Sequence, residues 1–225
     1  SVIIKSTVLP GTTDTFAKSI LEKYTNKVLG QFGLGMNPEF LREGNALEDA
    51  ENPDRIILGY CDEKTLKLLR ELYKSWDTVK IEVNSRTAEM IKYTNNSLLA
   101  TQISAVNEIA NIAQQIGNVD ISEVMKGVLS DKRWNVKTES GKTIRPEITK
   151  YLVPGCGFGG SCFPKDVEAF KQLSRKLGLK PRMLKAVLDI NEKQPNQILK
   201  ILKKHLPTMN NKKFLLLGIA FKPNT

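Results

Sequence analysis

Short apolar runs alternate with amphipathic segments along the first third of the chain. The apolar runs predict strands, and the segments with a 3.6-residue apolar period predict helices. Because strands and helices alternate, we expect an α/β arrangement with a mostly parallel sheet covered by helices. The predicted strands cover Val2–Thr7, Lys27–Leu34, Arg55–Tyr60 and Thr78–Val83, and the predicted helices cover Asp14–Tyr24 and Glu63–Trp76.

The middle of the chain predicts one long helix. Arg86–Ile116 contains no glycine or proline, and its apolar spacing predicts a helix about 45 Å long that ends at Gly117. So broad an apolar surface is expected to form the core of a homodimer. Asp120 and Glu123 then form a capping-box pattern at the start of a short helix.

The last third predicts a polar loop, further helices and one more strand. Ser130–Lys150 is polar and is predicted to be irregular, whereas helices are predicted from Cys162 to about Leu206. Lys213–Gly218 has the composition of a buried strand. A lone strand is unstable, so we expect the chain to be a portion of a longer protein.

Composition and charge favour a small anionic partner over a nucleic acid. The 225 residues are 40% hydrophobic and 26% charged, which is typical of a globular protein, and their formal net charge is +10. Lys and Arg are spread along the predicted helices, and no aromatic-interleaved basic motif is present. A nucleotide diphosphate fits this charge, whereas nucleic-acid binding is not expected.

Cysteine usage indicates a reducing compartment. Cys61, Cys156 and Cys162 are an odd number, and together with the single histidine they lack zinc-ligand spacing. Neither a disulfide framework nor a metal site is therefore expected. No apolar run approaches the roughly 20 residues that cross a bilayer, so we expect a cytoplasmic protein with no membrane partner.

One of these cysteines has the setting of a reactive thiol. Cys162 follows the glycine-rich segment Gly157–Ser161 and precedes Pro164, which suits the first turn of a helix. The unpaired amides of that turn, together with Lys165, favour the thiolate, which is the nucleophilic form. The alternative is a small buried side chain beside an ordinary turn.

The ten residues from Gly157 to Asp166 resemble the nucleophile motif of the UDP-glucose 6-dehydrogenases, within the UDP-glucose/GDP-mannose dehydrogenase family. Other segments resemble the same family in the same order, so the resemblance spans the chain. They are Lys5–Val8 with Pro10–Thr13, Asn37–Gly44 with Pro53–Gly59, Glu89–Tyr93 with Asn95 and Asn96, and Gly218–Thr225.

The resemblance implies three parts. Residues 1–84 correspond to the carboxy-terminal half of a Rossmann-like NAD-binding domain with a parallel sheet. Residues 85–205 correspond to a long-helix central dimerisation domain, and residues 206–225 to the first strand of a second Rossmann-like, UDP-binding domain. No Gly-x-Gly-x-x-Gly turn follows a strand in the sequence, so the phosphate-binding fingerprint of NAD is expected to precede Ser1.

The reaction implied by the resemblance is the four-electron oxidation of UDP-glucose to UDP-glucuronate with NAD. A cysteine thiolate retains the intermediate aldehyde as a thiohemiacetal, the second oxidation gives a thioester, and water releases the acid. This chemistry assigns the nucleophile to Cys162.

Further catalytic roles are implied residue by residue. Lys92 matches a lysine that stabilises the alkoxide or acts as acid and base, and Asn96, one helical turn later, matches a residue that holds the oxyanion or the substrate. Glu39 is implied as the base for thioester hydrolysis, with Asp166 and Thr7 near the same water. Without the resemblance, the favoured interpretation of Lys92, Asn96 and Glu39 is solvated side chains, and that of Asp166 is a carboxylate that complements a helix dipole.

Contacts with the cofactor and the substrate are implied in the same way. An arginine that reaches the neighbouring subunit's substrate matches Arg145, and less closely Arg133, beside an apparent insertion. The implied NAD contacts are Ser6, Thr7, Val8, Glu43 and Lys165. The implied nucleotide-sugar contacts are Glu39, Phe40, Leu41, Arg42, Glu43, Lys92, Asn96, Arg145, Val153, Pro154, Gly155, Cys156, Gly157, Phe158, Gly159, Phe221 and Lys222.

Alternatives stay open at this point. The substrate could be GDP-mannose or a UDP-N-acetylaminosugar instead of UDP-glucose. The chain could also be a non-catalytic dimerising or nucleotide-binding module, because it carries no phosphate-binding turn of its own. A basic nucleic-acid-binding protein is the remaining and weakest alternative.

Overall fold

The computed structural model of this chain describes residues 1–206 and 208–218. The described residues form two compact units, residues 1–95 and residues 96–218, and each is considered by itself. None of the helices among these residues is both long enough and apolar enough to span a membrane.

The first unit is an α/β unit. Its strands are Val2–Ile4 (β1), Leu34–Met36 (β2), Arg55–Tyr60 (β3) and Val79–Asn84 (β4). Its helices are Lys18–Thr25 (α1), Ala46–Glu51 (α2) and Glu63–Leu72 (α3). A π-helical segment at Thr12–Ala17 leads directly into α1. The sheet order is β1-β2-β3-β4. The two outer pairings are parallel and the β2–β3 pairing is antiparallel. The predicted mostly parallel sheet is confirmed, and the antiparallel pairing was not foreseen.

Both faces of this sheet are covered because the side chains of β3 alternate between them. Ile56 and Leu58 belong to one apolar cluster with α3. Ile57 belongs to another cluster, together with Ala88 from the first turns of the long helix Ser85–Ile116 (α4). The run Arg55–Tyr60 was predicted with its exact bounds, since a strand buried on both faces is apolar throughout.

The predicted strand at Lys27–Leu34 is wrong. The chain turns at Gly30, whose φ is 103°, and β2 begins only at Leu34, where pairing with Val2 starts. The end of β1 at Ile4 and the end of α3 at Leu72 also come earlier than predicted. Pairing with a neighbouring strand, and not the local apolar run, decides where β1 and β2 begin and end.

The second unit is mainly helical, and the predicted long helix is confirmed as α4. The other helices are Ile121–Val128 (α5), Phe163–Lys176 (α6) and Arg182–His205 (α7), and Pro195 lies inside α7. As predicted, Asp120 caps α5, where its carboxylate accepts a hydrogen bond from the Ser122 backbone N–H at 2.8 Å. The loop of residues 153–161, here called the glycine-rich loop, precedes Cys162 and α6. Phe158 from this loop packs with Val167 of α6 and Val187 of α7 in the core of this unit.

Two predictions for this part of the chain need correction. Ser130–Lys150 is not wholly irregular, because Val136–Lys137 (β5) and Thr143–Ile144 (β6) form an antiparallel hairpin between 3₁₀ segments at Lys132–Trp134 and Glu147–Leu152. Lys213–Gly218, predicted to be a strand, has no regular structure and is exposed. It pairs with no strand among the described residues, and a strand without a partner does not form.

Candidate active site

The carboxyl ends of β1 and β2 meet at one edge of the sheet because these strands run parallel. Asn37, directly after β2, is 2% exposed and anchors this edge. Its Nδ2 donates to the Ile57 carbonyl at 2.7 Å, and its Oδ1 accepts from the Lys5 Nζ at 2.6 Å and from the Tyr73 hydroxyl. Burial lowers the pKa of Lys5 below its ordinary value, and the nearby Glu39 carboxylate partly offsets this effect.

Lys92 of α4 ties the next segment to this edge. Its Nζ donates to the Glu39 backbone carbonyl at 2.6 Å and to the Glu39 Oε1 at 3.1 Å, and its side chain is only 5% exposed. The Phe40 ring lies between two cations, with Lys92 Nζ 5.2 Å and the Arg55 guanidinium carbon 4.0 Å from its centroid. The structure thus brings together three residues that the sequence proposed, and it partners a nearly buried ammonium as its charge requires.

The three residues after Lys5 differ in their exposure to solvent. Ser6 is exposed, Thr7 is half-buried, and Val8 packs against the apolar cluster that contains Ile57. Ligands of open α/β sheets bind at the carboxyl ends of the strands, so the exposed hydroxyl of Ser6 and the Lys5 cation fit the ribose and other polar groups of NAD. The sequence holds no glycine turn for the pyrophosphate, so the residues present fit only part of this cofactor.

Glu89, one turn before Lys92, holds the segment that follows Val8. Its carboxylate accepts from the backbone N–H groups of Gly11 at 2.6 Å and Thr13 at 2.8 Å, and from the Thr13 hydroxyl at 2.6 Å. Burial raises the pKa of Glu89 above its ordinary value, and the hydrogen bonds from Thr13 and Gly11 oppose the shift. Glu89 lies in the motif Glu89–Tyr93, but the sequence pattern predicted no role for it.

In the second unit, Cys162 stands at the start of α6. Its side chain is exposed, and the Ser161 Oγ lies 3.7 Å from its Sγ. Its carbonyl accepts the backbone N–H of Asp166 at 2.9 Å, so Cys162 begins the first turn of the helix as the sequence predicted. The alternative of a small buried side chain is wrong for this thiol.

Asp166 lies fully buried behind the same turn. Its Oδ2 accepts from the Asn96 Nδ2 at 2.7 Å, and its Oδ1 is paired with the Lys165 ammonium. Asn96 is itself 5% exposed. A buried carboxylate needs such donors, because an unpaired charge there would strongly destabilise the fold. Asn96, Lys165 and Asp166 therefore form one hydrogen-bonded group, and the Asp166 N–H is bonded to the Cys162 carbonyl within the same unit.

The glycine-rich loop before Cys162 is held by polar residues that the sequence analysis missed. Gly155 donates its N–H to the Asn107 Oδ1 at 2.7 Å, and Phe158 donates to the Asn191 Oδ1 at 2.7 Å. Gln194 Nε2 donates to the Gly155 carbonyl at 2.9 Å. The available signal was weak, since single amide side chains on amphipathic helices are usually solvated. Val153 and Cys156 of the loop are exposed.

The remaining proposed contacts are more dispersed. Leu41, Arg42 and Glu43 are exposed, and Arg42 forms an ion pair with Asp49 that lowers the pKa of this aspartate to about 2, chiefly through side-chain hydrogen bonds. Arg145 is exposed directly after the β5–β6 hairpin. Phe221 and Lys222 lie outside the described residues.

A sheet edge lined with polar groups and a thiol at a helix start are features of nucleotide-dependent α/β enzymes. Residues 1–77 match the UDP-glucose/GDP-mannose dehydrogenase family, NAD binding domain, and residues 86–193 match its central domain. The chain belongs to the UDP-glucose/GDP-mannose dehydrogenase family. The resemblance first noticed in the motifs is thereby confirmed.

Individual relatives support this membership. UDP-glucose 6-dehydrogenase TuaD of Bacillus subtilis (strain 168) is 38% identical over 224 residues, which are 100% of this chain and 45% of that protein. GDP-mannose 6-dehydrogenase of Pseudomonas putida is 37% identical over 226 residues, which are 100% of this chain and 48% of that protein. A solved UDP-glucose dehydrogenase from the archaeon Pyrobaculum islandicum matches with a TM-score of 0.79 at 40% identity, covering 92% of this chain and 44% of that one. The chain spans about half the length of the curated relatives it matches.

The Glu89 contacts predict a specific pH dependence of stability. Because the native pKa of Glu89 is raised, the folded state binds its proton more tightly than the unfolded chain does. The resulting stabilisation is fully present below the ordinary pKa and is lost as pH rises through the native pKa. We expect the free energy of unfolding of the wild type, minus that of Glu89→Gln, to fall with rising pH from about 4.5 and then level off.

Urea denaturation at a series of pH values measures this difference. Glu51→Gln, at an exposed glutamate of α2, is the matched control and should follow the wild type at every pH. A wild-type advantage over Glu89→Gln that grows with pH would contradict the prediction.

Proposed function

We propose that the protein to which this chain belongs is an NAD-dependent UDP-glucose 6-dehydrogenase that forms UDP-glucuronate through a thioester on Cys162. The observation that carries the proposal is an exposed thiol at the start of α6 with a buried Asp166, hydrogen-bonded by Asn96 and Lys165, behind it. Family membership supports the reaction class. The domain division at residues 84 and 205 remains part of the proposal, as does a cytoplasmic location.

NAD, when bound, accepts one hydride in each of the two oxidation steps. On this chain Ser6, Thr7 and Val8 would line its site at the sheet edge, with Glu43 and Lys165 as further contacts. Thr7 also has a hydroxyl that can hold the water used in hydrolysis. These residues bind and orient, and the redox chemistry belongs to the cofactor.

The chain's own residues would manage the carbonyl carbon. The Cys162 thiolate adds to the aldehyde, and a C–S bond forms while the carbonyl oxygen becomes an oxyanion. Lys92 stabilises the negative oxygen as an ammonium or, when it is deprotonated, takes the proton of the substrate alcohol, and Asn96 donates a hydrogen bond to the oxygen. Retention of the aldehyde on sulfur explains why one enzyme completes both oxidations.

Hydrolysis of the thioester needs an oriented water. Glu39 is the proposed base, because its carboxylate accepts from Lys92 and from the Leu41 N–H and so is held in one orientation. Asp166 is the second candidate for positioning that water. Attack of water breaks the C–S bond, returns the sulfur as thiolate and releases the carboxylate product.

A homodimer is part of the proposal. Side chains at 98, 105 and 112 and at 102, 109 and 116 follow the seven-residue repeat of a helix seam. Leu98, Ile109, Ile112 and Ile116 are 60%, 48%, 55% and 71% exposed. Apart from Gln102, this stripe on α4 is apolar, and it is suited to contact with a second copy.

Substrate choice is tested by direct assay of the full-length protein. We expect NADH formation, followed at its absorbance band, to be at least about tenfold more efficient in kcat/KM with UDP-glucose than with GDP-mannose or UDP-N-acetylmannosamine. The chain is 38% identical to a UDP-glucose 6-dehydrogenase and 37% identical to a GDP-mannose 6-dehydrogenase, so sequence identity does not distinguish the two substrates and the assay decides between them. Preference for GDP-mannose would replace the substrate, whereas no turnover or NAD binding would favour a non-catalytic dimerising module.

The covalent route is tested with Cys162→Ser. Because a serine hydroxyl is a far weaker nucleophile than a thiolate, we expect uronate formation to fall by about 100-fold or more. Cys61→Ser is the matched control. The half-buried Cys61 thiol donates a hydrogen bond to the Ser85 hydroxyl and is not among the proposed site residues, so this variant should retain activity. Normal uronate formation by Cys162→Ser would exclude the thioester mechanism.

The dimer is tested by charge insertion. Ile112→Lys places a charge in the middle of the apolar stripe, so we expect the sedimentation coefficient to fall to that of a monomer. Gln115→Lys, at an exposed polar position one turn away, should leave the assembly intact. An unchanged dimer in Ile112→Lys would locate the interface elsewhere.

A further inference from the structure

Two amide side chains of α7, Asn191 and Gln194, form hydrogen bonds with the backbone of the glycine-rich loop that leads to Cys162. They lie three residues apart and therefore on one face of the helix. Asn191 holds Phe158, and Gln194 holds Gly155, three residues earlier in the loop. The spacing on the helix thus matches the spacing on the loop.

The Asn191 contact is reciprocal. Its Oδ1 accepts from the Phe158 N–H at 2.7 Å, and its Nδ2 donates to the Phe158 carbonyl at 2.9 Å. This pair replaces the two hydrogen bonds that a neighbouring strand would supply to an extended residue. The side chain approaches so closely that a Cβ at Gly157, whose φ is 94°, would lie 2.5 Å from Oδ1. The adjacent glycine is therefore required for the contact.

Further buried hydrogen bonds, formed by side chains of α4, support these contacts. Gln194 is 6% exposed, and its Oε1 accepts from the Asn111 Nδ2 at 3.0 Å. Asn107, 1% exposed and one turn before Asn111 on α4, accepts the Gly155 N–H at 2.7 Å. These hydrogen bonds restrict the arrangement of the loop, because breaking one of them leaves its buried group unsatisfied; the Asn107 Nδ2 already has no hydrogen-bond partner among the described residues.

The hydrogen bonds to Phe158 lie close in the sequence to the Cys162 thiol. Phe158 is also anchored by its ring, which is 8% exposed and stands edge-to-face with Phe163 at 6.0 Å between centroids. Only Gly159, Gly160 and Ser161 separate Phe158 from Cys162. Because two of these three residues are glycines, the loop has little stiffness of its own, so its fixed end at Phe158 must set where α6 begins.

We propose that Asn191 is a positioning residue for the Cys162 thiol. Through Phe158 it fixes the loop conformation that places the sulfur at the start of α6, in the helical turn that also carries the buried Asp166. Asn191 touches neither the thiol nor the reacting atoms in this role. The inference rests on the proposed function of Cys162 as nucleophile and adds a residue that acts on it from α7.

The test uses Asn191→Ala and Asn191→Asp in the full-length protein. Asn191→Asp keeps an acceptor for the Phe158 N–H and loses the donor to its carbonyl. We expect kcat to fall by at least about tenfold in Asn191→Ala and by less in Asn191→Asp, with KM for NAD within about twofold of the wild type. Asn196→Ala, at an exposed asparagine of the same helix, is the matched control and should behave as the wild type.

Two readouts need no catalysis. In Asn191→Ala, the backbone amide of Phe158 should exchange with deuterium at least about tenfold faster, since its acceptor is gone. The rate of Cys162 alkylation by iodoacetamide, read by peptide mass spectrometry, should change by about threefold or more, while the rate of Cys61 should stay constant and report an intact fold. If Asn191→Ala fails to fold, Asn191→Asp carries the kcat and alkylation measurements, but not the exchange measurement, because it keeps the acceptor for the Phe158 N–H.

The possible failures are distinguishable. Wild-type exchange at Phe158, wild-type Cys162 alkylation and wild-type kcat in both Asn191 variants would overturn the positioning role and leave the nucleophile untouched. Normal turnover by Cys162→Ser would instead overturn the proposed function on which the inference rests. A fall in kcat accompanied by an equal rise in the KM for NAD would also count against positioning of the thiol.

Discussion

The structure depends on the requirement that buried polar side chains find partners, and one helix shows it most clearly. Along α4, Glu89, Lys92, Asn96 and Asn107 are each no more than 5% exposed. Within their own units, each holds a different segment: the start of the π-helical segment at Gly11 and Thr13, the Glu39 loop, the first turn of α6, and the glycine-rich loop. Loops too polar to form a core are thereby positioned by side chains from a rigid element.

These contacts serve placement more than stability. The ion pair of the buried Lys92 with the half-buried Glu39 contributes little net free energy, because desolvation of the ammonium offsets the attraction, yet loss of Glu39 would leave a costly unpaired charge on Lys92. The same reasoning applies to Asp166, whose two oxygens are occupied by Asn96 and Lys165. The exposed groups beside them, Cys162 and Ser6, are then presented from backbone that has few alternatives. Such preorganisation is what nucleophilic and oxyanion chemistry needs.

The fold was predictable where burial and periodicity agree. Arg55–Tyr60 and the long helix α4 were found with nearly correct ends, because a doubly buried strand and an uninterrupted amphipathic helix each leave a strong local pattern. The strand placed at Lys27–Leu34 failed, since a short apolar run does not reveal that the chain turns at Gly30 before pairing. Each strand of the β5–β6 hairpin is only two residues long, so no periodicity marks it.

For the candidate site, the sequence by itself determined the thiol, its glycine loop and the helix start, because glycine, proline and cysteine have strong local meanings. It also supplied Lys92, Asn96, Glu39 and Asp166 through a recognisable order of motifs. Only the tertiary structure decided that Glu89, Asn191 and Gln194 grip loops, since an isolated amide or carboxylate on a helix looks the same whether it faces water or another segment. The partner of such a group lies 33 to 78 positions away along the chain, and a hydrogen bond over that separation exists only after the helices have packed.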